Sequence, residues 1–163
     1  MSRNLWRNPM TLAKRAFLIV IHIAWTMSTA LGADTLSITK SDDIQWREYS
    51  GLPGVKMAVI SGNPQEPRMY TIRVLFPPGV MSRPHWHPET RYVTVLKGTW
   101  WAGTGEKFDP NNTIPVPAGS FVEHPSHMVH YDGAKDEEVI VQISGIGPSA
   151  TIFVNPADDP KNR

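Results

Sequence analysis

An all-β fold is predicted by three observations: apolar residues that alternate at a period of two, closely spaced turn signals, and no long 3.6-residue pattern beyond residue 32. Tyr70, Ile72, Val74 and Phe76 alternate with Thr71 and Arg73. Val93 and Val95 alternate with Tyr92 and Thr94, and Val139, Val141 and Ile143 with Ile140 and Gln142. Each run reads as a strand with one face packed inward. Pro77-Pro78-Gly79, Lys97-Gly98 and Asp132-Gly133 read as turns between strands. The 15 prolines and 12 glycines suit many short strands, and 40% apolar with 19% charged residues suits one globular domain.

Residues 1–32 are expected to be a signal peptide. Arg3, Arg7, Lys14 and Arg15 precede an apolar run from Ala16 to Met27, and Ala30 and Gly32 place cleavage before Ala33. A membrane anchor is the other reading, but about 20 apolar residues are needed to cross a bilayer and His22 interrupts this run. Lys14-Arg15-Ala16-Phe17-Leu18 is similar to a twin-arginine export signal, with an ordinary secretory leader as the alternative. The product would be exported without a stable membrane anchor after cleavage: periplasmic in a Gram-negative source, secreted otherwise. Beyond residue 32 the chain has 12 basic and 15 acidic residues, a formal charge of −3, which gives no nucleic-acid footprint.

Residues 33–54 begin polar and read as an N-terminal arm or edge strand, 55–160 as the folded domain, and Asp158–Arg163 as a solvated tail. No internal repeat is present, so the domain is a single unit.

The chemistry concentrates in histidines. His85 and His87 are two apart, so on a strand both point to one face with Cα atoms about 6.6 Å apart, close enough to share one cation. His130, on a later strand, can complete a three-nitrogen set that leaves coordination positions open. The chain has no cysteine, so any metal must take nitrogen and oxygen ligands. Binding by three neutral imidazoles should weaken as the pH falls through about 6.5. No phosphate loop, dinucleotide fingerprint or nucleophile–base pair is recognisable.

The spacing G-x5-H-x-H-x3-R-x6-G, from Gly79 to Gly98, resembles the first motif of the cupin superfamily, with Arg91 where that pattern has Glu. Pro125-Ser-His-Met-Val-His130 resembles the second motif, P-x-G-x2-H, with His127 in place of its glycine. The run Pro117-Ala-Gly-Ser-Phe-Val122 is similar to that of single-domain bacterial cupins, including the anti-sigma-factor type. The resemblance implies a small jelly-roll barrel (a double-stranded β-helix). It also implies one divalent transition metal (Fe, Mn, Ni, Cu or Zn) on His85, His87 and His130, a small-molecule ligand or substrate, and a homodimer.

Arg91 shares parity with Val93 and Val95 and is expected inside the barrel, where it could hold an anionic substrate through its planar donor fork. Alternatively it turns away to a surface carboxylate such as Glu89. Glu89 is also the candidate substitute metal ligand, although Pro88 breaks the parity argument. His124 and His127 are expected to be structural or rim histidines. Trp86, Trp100 and Trp101 are expected in packing, with one ring of the Trp100-Trp101 pair facing each way. Three functions follow. One is a mononuclear non-haem metal enzyme of dioxygenase type acting on a small anionic or chelating substrate. The others are a binding or sensing module without catalysis, and a cupin whose metal site has decayed.

Overall fold

A computed structural model describes residues 35–162, so the expected leader lies outside the described residues. The strands of the described residues all lie within Ser37–Arg163. In chain order they are β1 (Arg47–Glu48), β2 (Lys56–Ser61), β3 (Met69–Phe76), β4 (His85–Trp86), β5 (Arg91–Lys97) and β6 (Thr99–Thr104). Then come β7 (Ile114–Pro117), β8 (Phe121–His124), β9 (His130–Gly133), β10 (Val139–Ile146) and β11 (Ile152–Phe153). One sheet has the order β1-β2-β3-β10-β5-β8 and the other β11-β4-β9-β6-β7, with every pairing antiparallel. The described residues contain only short 3-10 helices besides, so the all-β expectation holds.

The period-two pattern sets the core. Along β3 and β10 every second residue is buried, and the register stacks Val74, Val141 and Val95 in one row and Ile72, Ile143 and Val93 in the next. Aliphatic side chains in facing rows exclude water from one side of the sheet. Trp100, Val116 and Ala134 close the core from the second sheet side.

One row further along, the chemistry changes. Tyr70, Gly145, Arg91 and His124 are successive partners across β3, β10, β5 and β8. Gly145 is needed here for space: a Cβ would lie 2.9 Å from the Tyr70 hydroxyl oxygen. The barrel therefore has an apolar end and a polar end, set by register alone.

Two expectations need correction. Asp132-Gly133 is not a turn but the end of β9, where Gly133 lies against Val80 and Met81 across an isolated bridge. Asp158–Arg163 is not simply a solvated tail: Pro156–Asp158 and Pro160–Asn162 form 3-10 turns, and Asp158 to Pro160 are half-buried. An Asn162 side-chain N–H donates to the Pro156 carbonyl at 2.8 Å, which folds this segment back on itself.

Gly98 turns the chain between β5 and β6 at φ 72°, and a Cβ there would lie 2.5 Å from the Glu138 carbonyl oxygen. Gly98→Ala should lower unfolding free energy by more than about 1 kcal/mol, because the left-handed backbone and the clash act together. Denaturant titration checks this, and an unchanged midpoint would mean that the turn relaxes freely.

Candidate metal centre

The site is built on very short elements. β4 holds only His85 and Trp86, and its place is fixed by β11 on one side and β9 on the other. His85 and His130 are direct cross-strand partners, so their side chains rise from adjacent points of one face. His87 follows in extended chain before Pro88. The resulting ring centroids are 4.4 Å apart for His85 and His130, 4.8 Å for His85 and His87, and 5.0 Å for His87 and His130. All three residues are buried, and each offers one nitrogen within 4.8 Å of the others. The structure thus brings together the three histidines expected from the sequence.

Hydrogen bonds fix which nitrogen each ring presents. Nδ1 donates to the Arg83 carbonyl in His85 and to the Ala150 carbonyl in His87, both at 2.7 Å, and to the Met128 carbonyl in His130 at 2.9 Å. A carbonyl only accepts, so each Nδ1 carries the proton and each Nε2 keeps a lone pair. Metal-binding histidines are commonly oriented by such a bond from the other ring nitrogen. The Nε2 of His130 is buried and has no hydrogen-bond partner, an arrangement that suits a cation. The donor set fits a divalent transition metal.

Arg91 enters the barrel, as its parity with Val93 and Val95 predicts. Its Nη1 donates to His87 Nε2 at 3.1 Å, its Nη2 to Ser149 Oγ at 2.7 Å and the Ala150 carbonyl at 3.4 Å, and its Nε to Glu89 Oε1 at 2.9 Å. Arg91 thus does not turn away to the surface: it is inward and buried, and the Glu89 it pairs with is not a surface carboxylate. Its side chain is 8% exposed and also accepts from the Tyr70 hydroxyl at 2.8 Å. Glu89 lies outside the three-histidine group, tied to Arg91 and Tyr70. Burial alone would raise the Glu89 pKa, but the Arg91 charge and the hydrogen bonds from Arg91 and Tyr70 outweigh it and hold the carboxyl below its ordinary range.

Of the two places expected for His124, structural or at the rim, the structure gives the first. It is buried on β8, its ring centroid 4.0 Å from that of His130 and 5.4 Å from that of Trp100. The pairing of β8 with β5 sets His124 opposite Arg91 on the inward face. Asp132 was hidden by its reading as a turn residue. Two residues after His130 on β9, it shares that face, and its Oδ2 lies 3.5 Å from His130 Nε2 without forming a hydrogen bond. His127, by contrast, is exposed, stacks on Trp86 at 4.9 Å, and adopts φ 64° where the motif has glycine. Trp100 is buried, whereas Trp101 is half-buried with Lys135 Nζ 3.7 Å above its ring, so the pair does face both ways.

The cluster lines a cavity of about 390 Å³, together with the apolar Ile72, Phe76, Val141 and Trp100 and the charged Asp159 and Lys161. At neutral pH the rings of His85, His87 and His124 are uncharged. Burial, opposed by Asp132, lowers the pKa of His85 to about 4, and burial with the His130 ring lowers that of His124 to about 3. Burial and then the Arg91 charge push His87 lower still. The lone pairs of His85 and His87 should thus remain available well below pH 6.5.

These shifts give stability a pH dependence of definite sign. In the unfolded chain the histidines titrate near 6.5, so between about 6.5 and 4 the unfolded state binds protons that the native state refuses. Stability is complete above 6.5 and falls as the pH drops through this window, by roughly 3 kcal/mol at pH 4 from His85 alone. Urea unfolding of the metal-free protein at a series of pH values checks this, and a flat profile from 7 to 4.5 contradicts it.

Known proteins place this architecture. The polyketide cyclase RemF from Streptomyces resistomycificus is similar to this chain with a TM-score of 0.63 at 15% identity, over 77% of this chain and 90% of its own. A cupin-like protein from Thermotoga maritima matches with a TM-score of 0.54 at 22% identity, over 72% of this chain and 91% of its own. The DMSP lyase DddQ from Ruegeria pomeroyi matches with a TM-score of 0.55 at 17% identity, over 71% of this chain and 63% of its own. At such identities the likeness is one of fold. No curated protein matches the chain in sequence. The ChrR cupin-like domain matches residues 35–150, a span that holds both histidine motifs and most of the two sheets, and the chain belongs to that family of cupins.

Proposed function

We propose that this chain is an exported metal-binding cupin in which His85, His87 and His130 hold one divalent transition metal at the polar end of the barrel and present it to a small molecule. The observation that carries this reading is the convergence of three Nε2 lone pairs, each fixed by a backbone carbonyl on the opposite ring nitrogen. A bound metal would supply Lewis acidity, or oxygen activation if it is redox-active. The chain's own residues do the rest. The apolar wall of Ile72, Phe76 and Val141 takes the body of a ligand, and a cavity of about 390 Å³ suits a small organic molecule.

Arg91 already makes four hydrogen bonds within the chain and is paired with Glu89. A chelating ligand of low net charge therefore suits the cavity better than a strong anion. The reading extends to a metal enzyme of dioxygenase type, and a polyketide cyclase and a DMSP lyase among the fold neighbours support a small-molecule enzyme in general. Export rests on the leader at residues 1–32.

Metal analysis of protein purified from its native compartment, followed by titration of the His→Ala variants, tests the centre. His85→Ala, His87→Ala and His130→Ala should each weaken binding at least tenfold, and more than His124→Ala or His127→Ala. Equal losses in all five would show that the ligand set is wrong. Oxygen consumption by the loaded protein with acetylacetone would favour the dioxygenase reading, and binding without turnover a sensing module. N-terminal sequencing of the exported protein should give Ala33, and an intact Met1 on a membrane-bound product would contradict export.

A further inference from the structure

Resting on that reading of the three histidines, we infer that Arg91 occupies the cation's place in the metal-free centre, so that a metal and the guanidinium compete for one nitrogen, His87 Nε2. His87 has no other nitrogen to offer, because its Nδ1 proton is held by the Ala150 carbonyl at 2.7 Å. Arg91 Nη1 reaches Nε2 at 3.1 Å, and both side chains are buried. A guanidinium cannot give up its charge, and its N–H and a cation cannot share a single lone pair. Arg91 must therefore leave His87 before three imidazoles can act together.

The surroundings provide for that departure. Glu89 Oε1 holds Arg91 Nε, while Oε2 of the same carboxylate is buried and has no hydrogen-bond partner. It is an acceptor ready for an N–H released from His87. Ser149 Oγ and the Ala150 carbonyl hold Nη2, a nitrogen separate from the one that bonds His87. The pair with Glu89 also keeps the local charge balanced, so an approaching cation meets a neutral pair rather than a lone guanidinium. Arg91 is thus an affinity-setting residue: the protein without metal has a filled centre, and loading is an exchange of one cation for another.

The test uses the full mature chain stripped of metal, titrated with Zn2+ by calorimetry. Arg91→Met alone would leave Glu89 unpaired and attract any cation, so the decisive variant is Arg91→Met/Glu89→Gln, which removes both charges together. Zn2+ should bind this double variant at least tenfold more tightly than wild type. Equal or weaker binding, with wild type still binding and His85→Ala not, overturns the competition and leaves the metal centre standing. No Zn2+ binding in any form, wild type included, overturns both readings.

Should the double variant fail to fold, imidazole 15N spectra of wild type give a second readout. On adding Zn2+, the His87 Nε2 resonance should shift to a metal-bound value as its coupling to the Arg91 N–H is lost. An Arg91 N–H that stays bonded to His87 Nε2 in the zinc-loaded protein sinks the proposal.

Discussion

A charged guanidinium lies inside an apolar barrel, and the arrangement of the whole polar end follows from the need to compensate it. Arg91 brings a full positive charge to a place where an unpaired one would be far more costly than any single contact could offset. Glu89 is buried beside it, although it follows a proline that ends the strand. Tyr70 donates to Glu89, and Gly145 leaves the space that the phenol needs. The segment after β10 brings Ser149 and Ala150 over the same guanidinium, and Ala150 also orients His87. The ion pair and the imidazole cluster are therefore parts of one network.

Compensation also explains how three or four histidines can sit together. Imidazoles this close, with ring centroids 4.0 to 5.0 Å apart, cannot all be protonated. Burial keeps His85, His87 and His124 neutral, and backbone carbonyls decide the tautomers of His85, His87 and His130. Such a site presents two uncharged donors, His85 and His87, well below pH 6.5. Its acid sensitivity is then expressed in the stability of the fold as well as in its ligands.

Much of this was legible in the sequence wherever the pleat decides the outcome. Val74, Val95 and Val141 face inward because they share parity with their neighbours, and the same rule sends Arg91, His85 and His87 into the barrel. What failed was reading residues one at a time near turns. Asp132 precedes a glycine and looked like a turn, yet Gly133 serves a close approach to Met81, so the strand continues and Asp132 keeps the parity of His130. Glu89 follows Pro88, where alternation gives no direction, and only the tertiary partner decides. His124 needed the register of β8 against β5, which is a long-range fact. Ser149 and Ala150 carry no local pattern and act through backbone and hydroxyl groups from a distant loop.

Trp100 gives this arrangement a further consequence. Its indole is buried beside His124, within two ring contacts of His130, and its Nε1 has no hydrogen-bond partner. A buried indole so near the histidines is an optical reporter carried by the chain itself. A paramagnetic ion would quench its emission, and a diamagnetic one would shift it only by moving the local charges. The blue-shifted fraction of the protein's fluorescence can thus follow occupancy of the barrel without any attached dye.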